Sequence, residues 1–227
     1  MRSRARHPIA VAAAAAIVAT ALIGVAHAPF ARSLLMSLGG CPMAGARMTP
    51  ALAERARRMA LSADRVAVSA PARPALGFAL DSTTLSQVRV WADREHVECD
   101  APRSGLMKCA GVEPQVLGLP AAYGRVDELT LEFDPRDRLV NMTTFRTHLT
   151  PAAASAQARA IVAALADRLG PAERSAGDFE KASLGGPPAR SISTVRYRYD
   201  DYVADVTAMN APSSGPSIRE HYMSARD

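Results

Sequence analysis

The 227-residue sequence lacks several features that would identify a class of protein at once. Three cysteines are too few for a small disulfide-rich domain, and no glycine repeat of the collagen type is present. Only one long apolar run occurs, which excludes a membrane protein with several spans. The hydrophobic content of 48% is too high for a disordered protein. We therefore expect one globular domain with an N-terminal extension.

Motifs for catalysis and cofactor binding are also missing. The sequence contains no His-Glu-x-x-His, Cys-x-x-Cys, Gly-x-Ser-x-Gly, Walker or Gly-x-Gly-x-x-Gly motif. His96, His148 and His221 are far apart and near the ends of predicted elements, which is typical of surface or capping histidines. Glu128 and Glu132 have the period-two spacing of a solvated strand face rather than of an acid–base pair. We expect no cofactor.

Basic residues outnumber acidic residues by 27 to 22, but this excess does not indicate a nucleic-acid-binding protein. Three arginines precede the apolar run, so the rest of the chain carries 24 basic and 22 acidic residues. No basic stripe with interleaved aromatic residues is present, and we expect no nucleic-acid partner.

Residues 1–28 have the pattern of a signal anchor or a signal peptide. Three arginines lie at positions 1–7, and residues 9–26 form an apolar run without a charge. By the positive-inside rule, this order keeps the N-terminus in the cytoplasm and exports the rest of the chain. We therefore expect a single-pass protein of the inner membrane, held through residues 9–26, with a periplasmic C-terminal domain.

Two other outcomes of export remain open. Cleavage after Ala28 would follow the small-x-small pattern of residues 26–28, although Pro29 is unfavourable directly after a cleavage site. Alternatively, residues 38–41 resemble a lipobox, and Cys41 would then carry a lipid. We favour the uncleaved anchor because it avoids the unfavourable proline, and because Arg32 separates Cys41 from the apolar run.

The role of Cys41 has several interpretations. Met43 and Met48 follow it closely, and a set of soft sulfur ligands would suit Cu(I). A cysteine–proline pair also occurs in heme-binding motifs. An intermolecular disulfide and an inert thiol are the other interpretations, and we favour the inert thiol. A metal, heme or redox sensor centred on Cys41 is therefore an alternative function.

Residues 29–76 are predicted to form a stalk, with a short helix at about 51–62 and an extended Ala/Pro linker at 69–74. Residues 77–227 are predicted to form the folded head.

The head is predicted to contain two helices and seven strands. Thr84 and Gln87 have the spacing of a capping box for a helix that ends near His96. A second helix is predicted from Pro151 to Gly170. Alternating apolar and polar residues predict strands at about 97–101, 106–112, 128–133, 139–145, 195–199, 202–210 and 217–223.

This order of elements predicts an α+β fold in which both helices pack on one face of an antiparallel sheet. The order is also consistent with a divergent tandem repeat.

Cys99 and Cys109 are predicted to form a disulfide. With residue 104 at the centre of the hairpin, Cys99 faces Cys109 and Asp100 faces Lys108, which gives compatible geometry and opposite charges. An oxidising periplasm would preserve this bond. The alternative, two reactive thiols or metal ligands, lacks nearby partners other than His96.

The C-terminal strands are rich in tyrosine, because four of the five tyrosines lie in the last 31 residues. We favour core packing for Tyr197 and Tyr199, which are in register with Val195. Arg196 and Arg198 are expected to form cross-strand pairs with acidic residues of the next strand. A binding surface on this part of the sheet is the other interpretation, with these members: Tyr197, Tyr199, Tyr202, Arg196, Arg198 and Tyr222.

The order of elements over roughly residues 77–223, with its hairpin cysteine pair, resembles that of exported helix-plus-sheet modules. Examples are the small lipoprotein of the outer-membrane assembly machinery and the tandem-repeat β-lactamase inhibitor proteins. The resemblance implies a protein-binding module and assigns no individual site residues.

We therefore expect a membrane-anchored or exported envelope protein whose periplasmic head binds another envelope protein or a small ligand. An unrecognised periplasmic hydrolase is the alternative.

Overall fold

The computed structural model describes residues 55, 68–180, 184–185, 192–211 and 214–226. These residues belong to one compact unit, Thr49–Asp227. Among them, no helix is long and apolar enough to cross a membrane. The proposed anchor at 9–26 and the Cys41 segment lie outside the described residues, as does the stalk helix except for Arg55.

Eight antiparallel strands form a single sheet in the described part of the chain. The strand order is β1-β2-β3-β4-β8-β7-β6-β5, so β4 and β8 are paired at the centre of the sheet. The strands are β1 Cys99–Arg103, β2 Leu106–Val112, β3 Val126–Phe133, β4 Leu139–Arg146, β5 Arg174–Ala176, β6 Ile192–Arg198, β7 Tyr202–Ala211 and β8 Gly215–Ser224.

Two α-helices, α1 (Leu85–Glu95) and α2 (Pro151–Leu169), precede the two sets of four strands. The Thr84 side chain and the Gln87 side chain form the predicted capping box of α1. His96 ends α1 in the left-handed conformation, with φ 56°, which confirms its predicted capping role. Helix α2 begins after Thr150, whose hydroxyl accepts a hydrogen bond from the Ala153 amide. The predicted α+β class is therefore confirmed.

The hydrophobic core lies against one face of the sheet. Leu129 of β3 and Met142 of β4 are fully buried on this face, which we call the core face. Val88 of α1 and the α2 residues Ile161 and Leu165 belong to the same core. Alternate residues of the strands point to the opposite, polar face, because successive side chains of a strand alternate between the two faces.

The β1–β2 hairpin has the predicted register at its cysteine pair, but the register shifts between Asp100 and Arg103, so that Arg103 pairs with Leu106 at the turn. Cys99 is paired with Cys109, and Asp100 is paired with Lys108. The two cysteine sulfur atoms are 2.05 Å apart and form a disulfide. The bond therefore joins an edge strand of the sheet to its inner neighbour.

Two features of the fold were not predicted from the sequence. Strand β5 has only three residues, all of them exposed, so it shows no alternation of apolar and polar side chains. Two short 3₁₀ helices, Pro114–Leu117 and Ala121–Tyr123, connect β2 to β3. They contribute Leu117 and Tyr123 to the core.

Candidate functional site

The four tyrosines of the predicted surface are placed on the core side of the molecule. Tyr197, Tyr202 and Tyr222 are each no more than 1% exposed. Tyr199 packs against the core and donates a hydrogen bond from its hydroxyl to the Leu169 carbonyl oxygen, at 2.5 Å. An exposed aromatic surface is therefore not formed, because the tyrosines share the core face with the apolar residues of their strands, such as Val206.

The two arginines of that predicted surface lie on the polar face instead. Arg196 is the cross-strand neighbour of Asp205, as expected. The Asp205 carboxylate, however, accepts hydrogen bonds from the Arg219 guanidinium at 2.7 Å and from the His221 ring at 3.0 Å. The predicted ion pair between Arg196 and Asp205 is therefore not formed, because β8 supplies the partners of this carboxylate.

Burial is the largest influence on the pKa of Asp205, and it opposes ionisation. The hydrogen bonds and charges of His221 and Arg219 together outweigh burial, so the pKa of Asp205 lies below its ordinary value. Asp205 is therefore a buried carboxylate that stays ionised, although its side chain is on the polar face.

A buried polar network lies on the core face at the β4–β8 pair. Arg146 and Glu220 form an ion pair, and neither side chain is exposed to solvent. The Thr144 hydroxyl donates to Glu220 Oε1 at 3.1 Å, and the Tyr222 hydroxyl donates to Glu220 Oε2. Both oxygens of the carboxylate are therefore hydrogen-bonded.

The guanidinium of this network is less completely satisfied than the carboxylate. The Nε and Nη2 atoms of Arg146 are buried and have no hydrogen-bond partner among the described residues. Sequence analysis missed the network because Arg146 and Glu220 were not recognised as residues on the core side of their strands. A signal was present, since Glu220 lies between Ile218 and Tyr222 in an alternating pattern.

A cavity of about 260 Å³ lies beside this network, between α2 and the loops at residues 74–77 and 117–119. Gly77 has φ +84°, and a Cβ atom there would be 2.9 Å from the Leu117 carbonyl oxygen. Glycine is therefore required where these two loops approach each other. The lining is mainly apolar and consists of Pro74, Leu76, Gly77, Leu117, Gly118, Leu119, Tyr123, Ile161, Ala164, Leu165, Arg168 and Tyr222.

Three lining residues carry polar groups: Tyr123, Tyr222 and Arg168. Burial, followed by the charge of Glu220, raises the pKa of both tyrosines, so both hydroxyls stay protonated at neutral pH. The Tyr222 hydroxyl already donates to Glu220. The Tyr123 hydroxyl and the Arg168 guanidinium form no hydrogen bond or ion pair with another described residue, and both remain available to a ligand.

Other acidic residues considered in the sequence take structural roles. The Lys108 ammonium donates to Glu128 at 3.0 Å and is the main cause of a lowered pKa of that carboxyl. Glu132 accepts a hydrogen bond from the Asn141 amide at 3.2 Å. Within the described ranges, no group of three or more His, Cys, Asp or Glu residues could hold a metal ion. The candidates Cys41, Met43 and Met48 lie outside those ranges.

Comparison with known proteins adds no relative: no family model, curated protein or solved structure matches this chain.

Proposed function

We propose that this chain is a membrane-anchored or exported envelope protein whose head binds a small monocarboxylate in the cavity beneath α2. The observation that carries the proposal is an apolar cavity with two uncommitted polar groups, Tyr123 and Arg168, among its lining residues. A mostly apolar concavity with a few polar groups is the usual form of a small-molecule site.

The volume of the cavity limits the size of the ligand. A dry protein cavity of about 150 Å³ is sufficient to bind benzene. The cavity here has about 260 Å³, which suits a molecule somewhat larger than benzene, such as an aromatic or short aliphatic acid. The aliphatic side chains of Leu117, Ile161 and Leu165 would contact the apolar part of such a ligand.

The charge of the lining favours an acid over a neutral molecule. Arg168 is exposed and has no acidic partner among the described residues, so its guanidinium is free to bind a carboxylate. Tyr123 supplies a protonated hydroxyl, which can donate a second hydrogen bond. Asp167 is the acidic residue next to Arg168 in α2, and it does not line the cavity.

We favour binding over hydrolysis because the described residues that line the cavity include no histidine, cysteine, aspartate or glutamate. The carboxylate that accepts from the lining residue Tyr222, Glu220, is fully buried and also engaged by Arg146 and Thr144. Because its hydroxyl donates to Glu220, Tyr222 has a fixed position in the cavity lining and does not donate a proton to the ligand.

Export remains part of the proposal and is supported by the disulfide between Cys99 and Cys109, since such bonds persist in oxidising compartments. Each half of the head has one α-helix followed by four strands, and this shared order supports our inference of a divergent repeat.

Calorimetric titration of the full-length protein in lipid nanodiscs tests the proposal. Phenylacetate and hexanoate are the probes, and the neutral amides phenylacetamide and hexanamide are the matched control ligands. We expect saturable binding of the acids and weaker binding of the amides. Arg168→Gln should lower the affinity for the acids by roughly fivefold, the value of an exposed charge pair, and Asp167→Asn should not lower it.

A second pair of variants tests the location of the site. Ala164 lines the cavity and is half-buried, whereas Ala163 is exposed. Ala164→Phe should fill the cavity and abolish the binding of acids and amides, and Ala163→Phe should leave binding intact. Equal binding by both variants would refute the proposed location.

A further inference from the structure

A second concavity lies at the β5 edge of the sheet, on the polar face and separate from the cavity beneath α2. Arg174 of β5 and Arg196 of β6 are directly paired across the two strands. Like charges in directly opposite positions of an antiparallel pair are destabilising. Repulsion between the two arginines therefore destabilises this strand pair unless an anion lies between them.

No acidic side chain of the described residues balances the charge of either arginine. Arg174 and Arg196 form no ion pair or side-chain hydrogen bond with another described residue. The acidic neighbour of Arg196, Asp205, is occupied by Arg219 and His221, at 2.7 and 3.0 Å. Two arginines therefore line one concavity, and neither has a carboxylate acceptor among the described residues.

The two arginines line a concavity of about 200 Å³ together with Ala176 and Thr194. All four residues are on the same face, because 174 and 176 alternate along β5 and pair with 196 and 194 of β6. Ala176 is small and leaves room beside the guanidinium groups. The Thr194 hydroxyl lies 3.2 Å from the Thr207 hydroxyl, so this pair can supply one further donor.

We propose that this concavity binds a phosphate group through Arg174 and Arg196. Guanidinium groups form bidentate, charge-assisted hydrogen bonds with phosphate, and an anion between two of them reduces their mutual repulsion. The phosphate belongs either to a soluble phosphomonoester or to a phosphodiester of a lipid headgroup. The site does not depend on the carboxylate site proposed above, since the two share no residue.

The test is calorimetric titration of the full-length protein in dodecyl maltoside micelles, which contain no phosphate group. Inorganic phosphate and glycerol 3-phosphate represent the soluble source, and glycerophosphoglycerol represents the lipid headgroup. We expect saturable binding of at least one of these probes. Arg174→Gln and Arg196→Gln should each weaken it at least about tenfold, and Arg94→Gln, on the exposed face of α1, should not.

The thermal midpoint provides a second measurement that does not need a known ligand. Relief of the repulsion between the arginines should raise the midpoint of Arg174→Gln above that of the wild type in chloride. Phosphate at equal ionic strength should raise the wild-type midpoint and leave that of the variant unchanged. The proposal is overturned if none of the three probes binds saturably, or if the two variants bind as tightly as the wild type.

Discussion

The buried pair of Arg146 and Glu220 leads to the sharpest prediction about the stability of the head. Both side chains are fully buried, so removal of either one leaves an uncompensated charge in the core. Breaking a buried ion pair in this way costs about 3–5 kcal/mol. We expect Arg146→Met and Glu220→Leu each to lower the free energy of unfolding by that amount, a large part of the roughly 5–15 kcal/mol of a typical domain.

Replacing the whole network should restore most of the lost stability. In Glu220→Leu the Thr144 and Tyr222 hydroxyls both lose their acceptor, and a buried hydroxyl without a partner costs about 1–3 kcal/mol. The quadruple variant Thr144→Val/Arg146→Met/Glu220→Leu/Tyr222→Phe removes the charges and both hydroxyls together. We expect it to be within about 2 kcal/mol of the wild type, since apolar replacements of buried pairs are often neutral or stabilising.

Guanidinium unfolding of the full-length protein measures these effects, with Trp91 as the reporter. It is the single tryptophan of the chain, and its ring packs edge-to-face on Phe78 with a centroid separation of 5.0 Å. Its fluorescence therefore follows the packing of α1 on the core. Single variants that lose less than about 1 kcal/mol, or a quadruple variant as unstable as the singles, would refute the reasoning.

Two further predictions concern the disulfide and the pH dependence of stability. The bond between Cys99 and Cys109 closes a short loop, so Cys99→Ser/Cys109→Ser should lose about 2–3 kcal/mol, and mass spectrometry of the unreduced protein from cells should find neither thiol free. The pKa of Asp205 is lower in the folded protein than its unfolded value of about 3.9, so its stabilising contribution is present above that pH and is lost as the pH falls towards the folded-state pKa. Asp205→Asn should therefore be less stable than the wild type at neutral pH. The denaturation midpoints of the two proteins should converge as the solution is acidified below about pH 4. A difference between the two midpoints that does not change with pH would contradict this role of Asp205.

Local signals in the sequence were sufficient to predict most of the fold. The Thr84 capping box and the proline and glycine that bound α2 are contained within a few residues of each helix end. The register of the β1–β2 hairpin followed from its short turn and the facing Cys99 and Cys109. Each of these signals acts between residues close in the chain, so no tertiary information was needed.

The candidate sites could be predicted much less well, because they depend on contacts between distant parts of the chain. Glu220 meets Arg146 only because β8 pairs with β4, across a separation of 74 residues. Similarly, Asp205 looks like a partner of Arg196 in the local pattern, but it binds Arg219 and His221 once β8 is in place. The alternation of apolar and polar residues along the strands predicted that the tyrosines lie in the core. It could not show which residues line the cavity, because these come from distant parts of the chain.

Methyl NMR of the full-length protein, titrated with phenylacetate, tests the proposed binding function most directly. We predict saturable shifts of methyl signals from the cavity lining, with Leu117, Ile161 and Leu165 most affected. The methyl signals of Ile192, which lies on the polar face, should not shift. Absence of saturable shifts in the lining, or shifts centred on Ile192, would contradict the claim that the head holds a small carboxylate beneath α2.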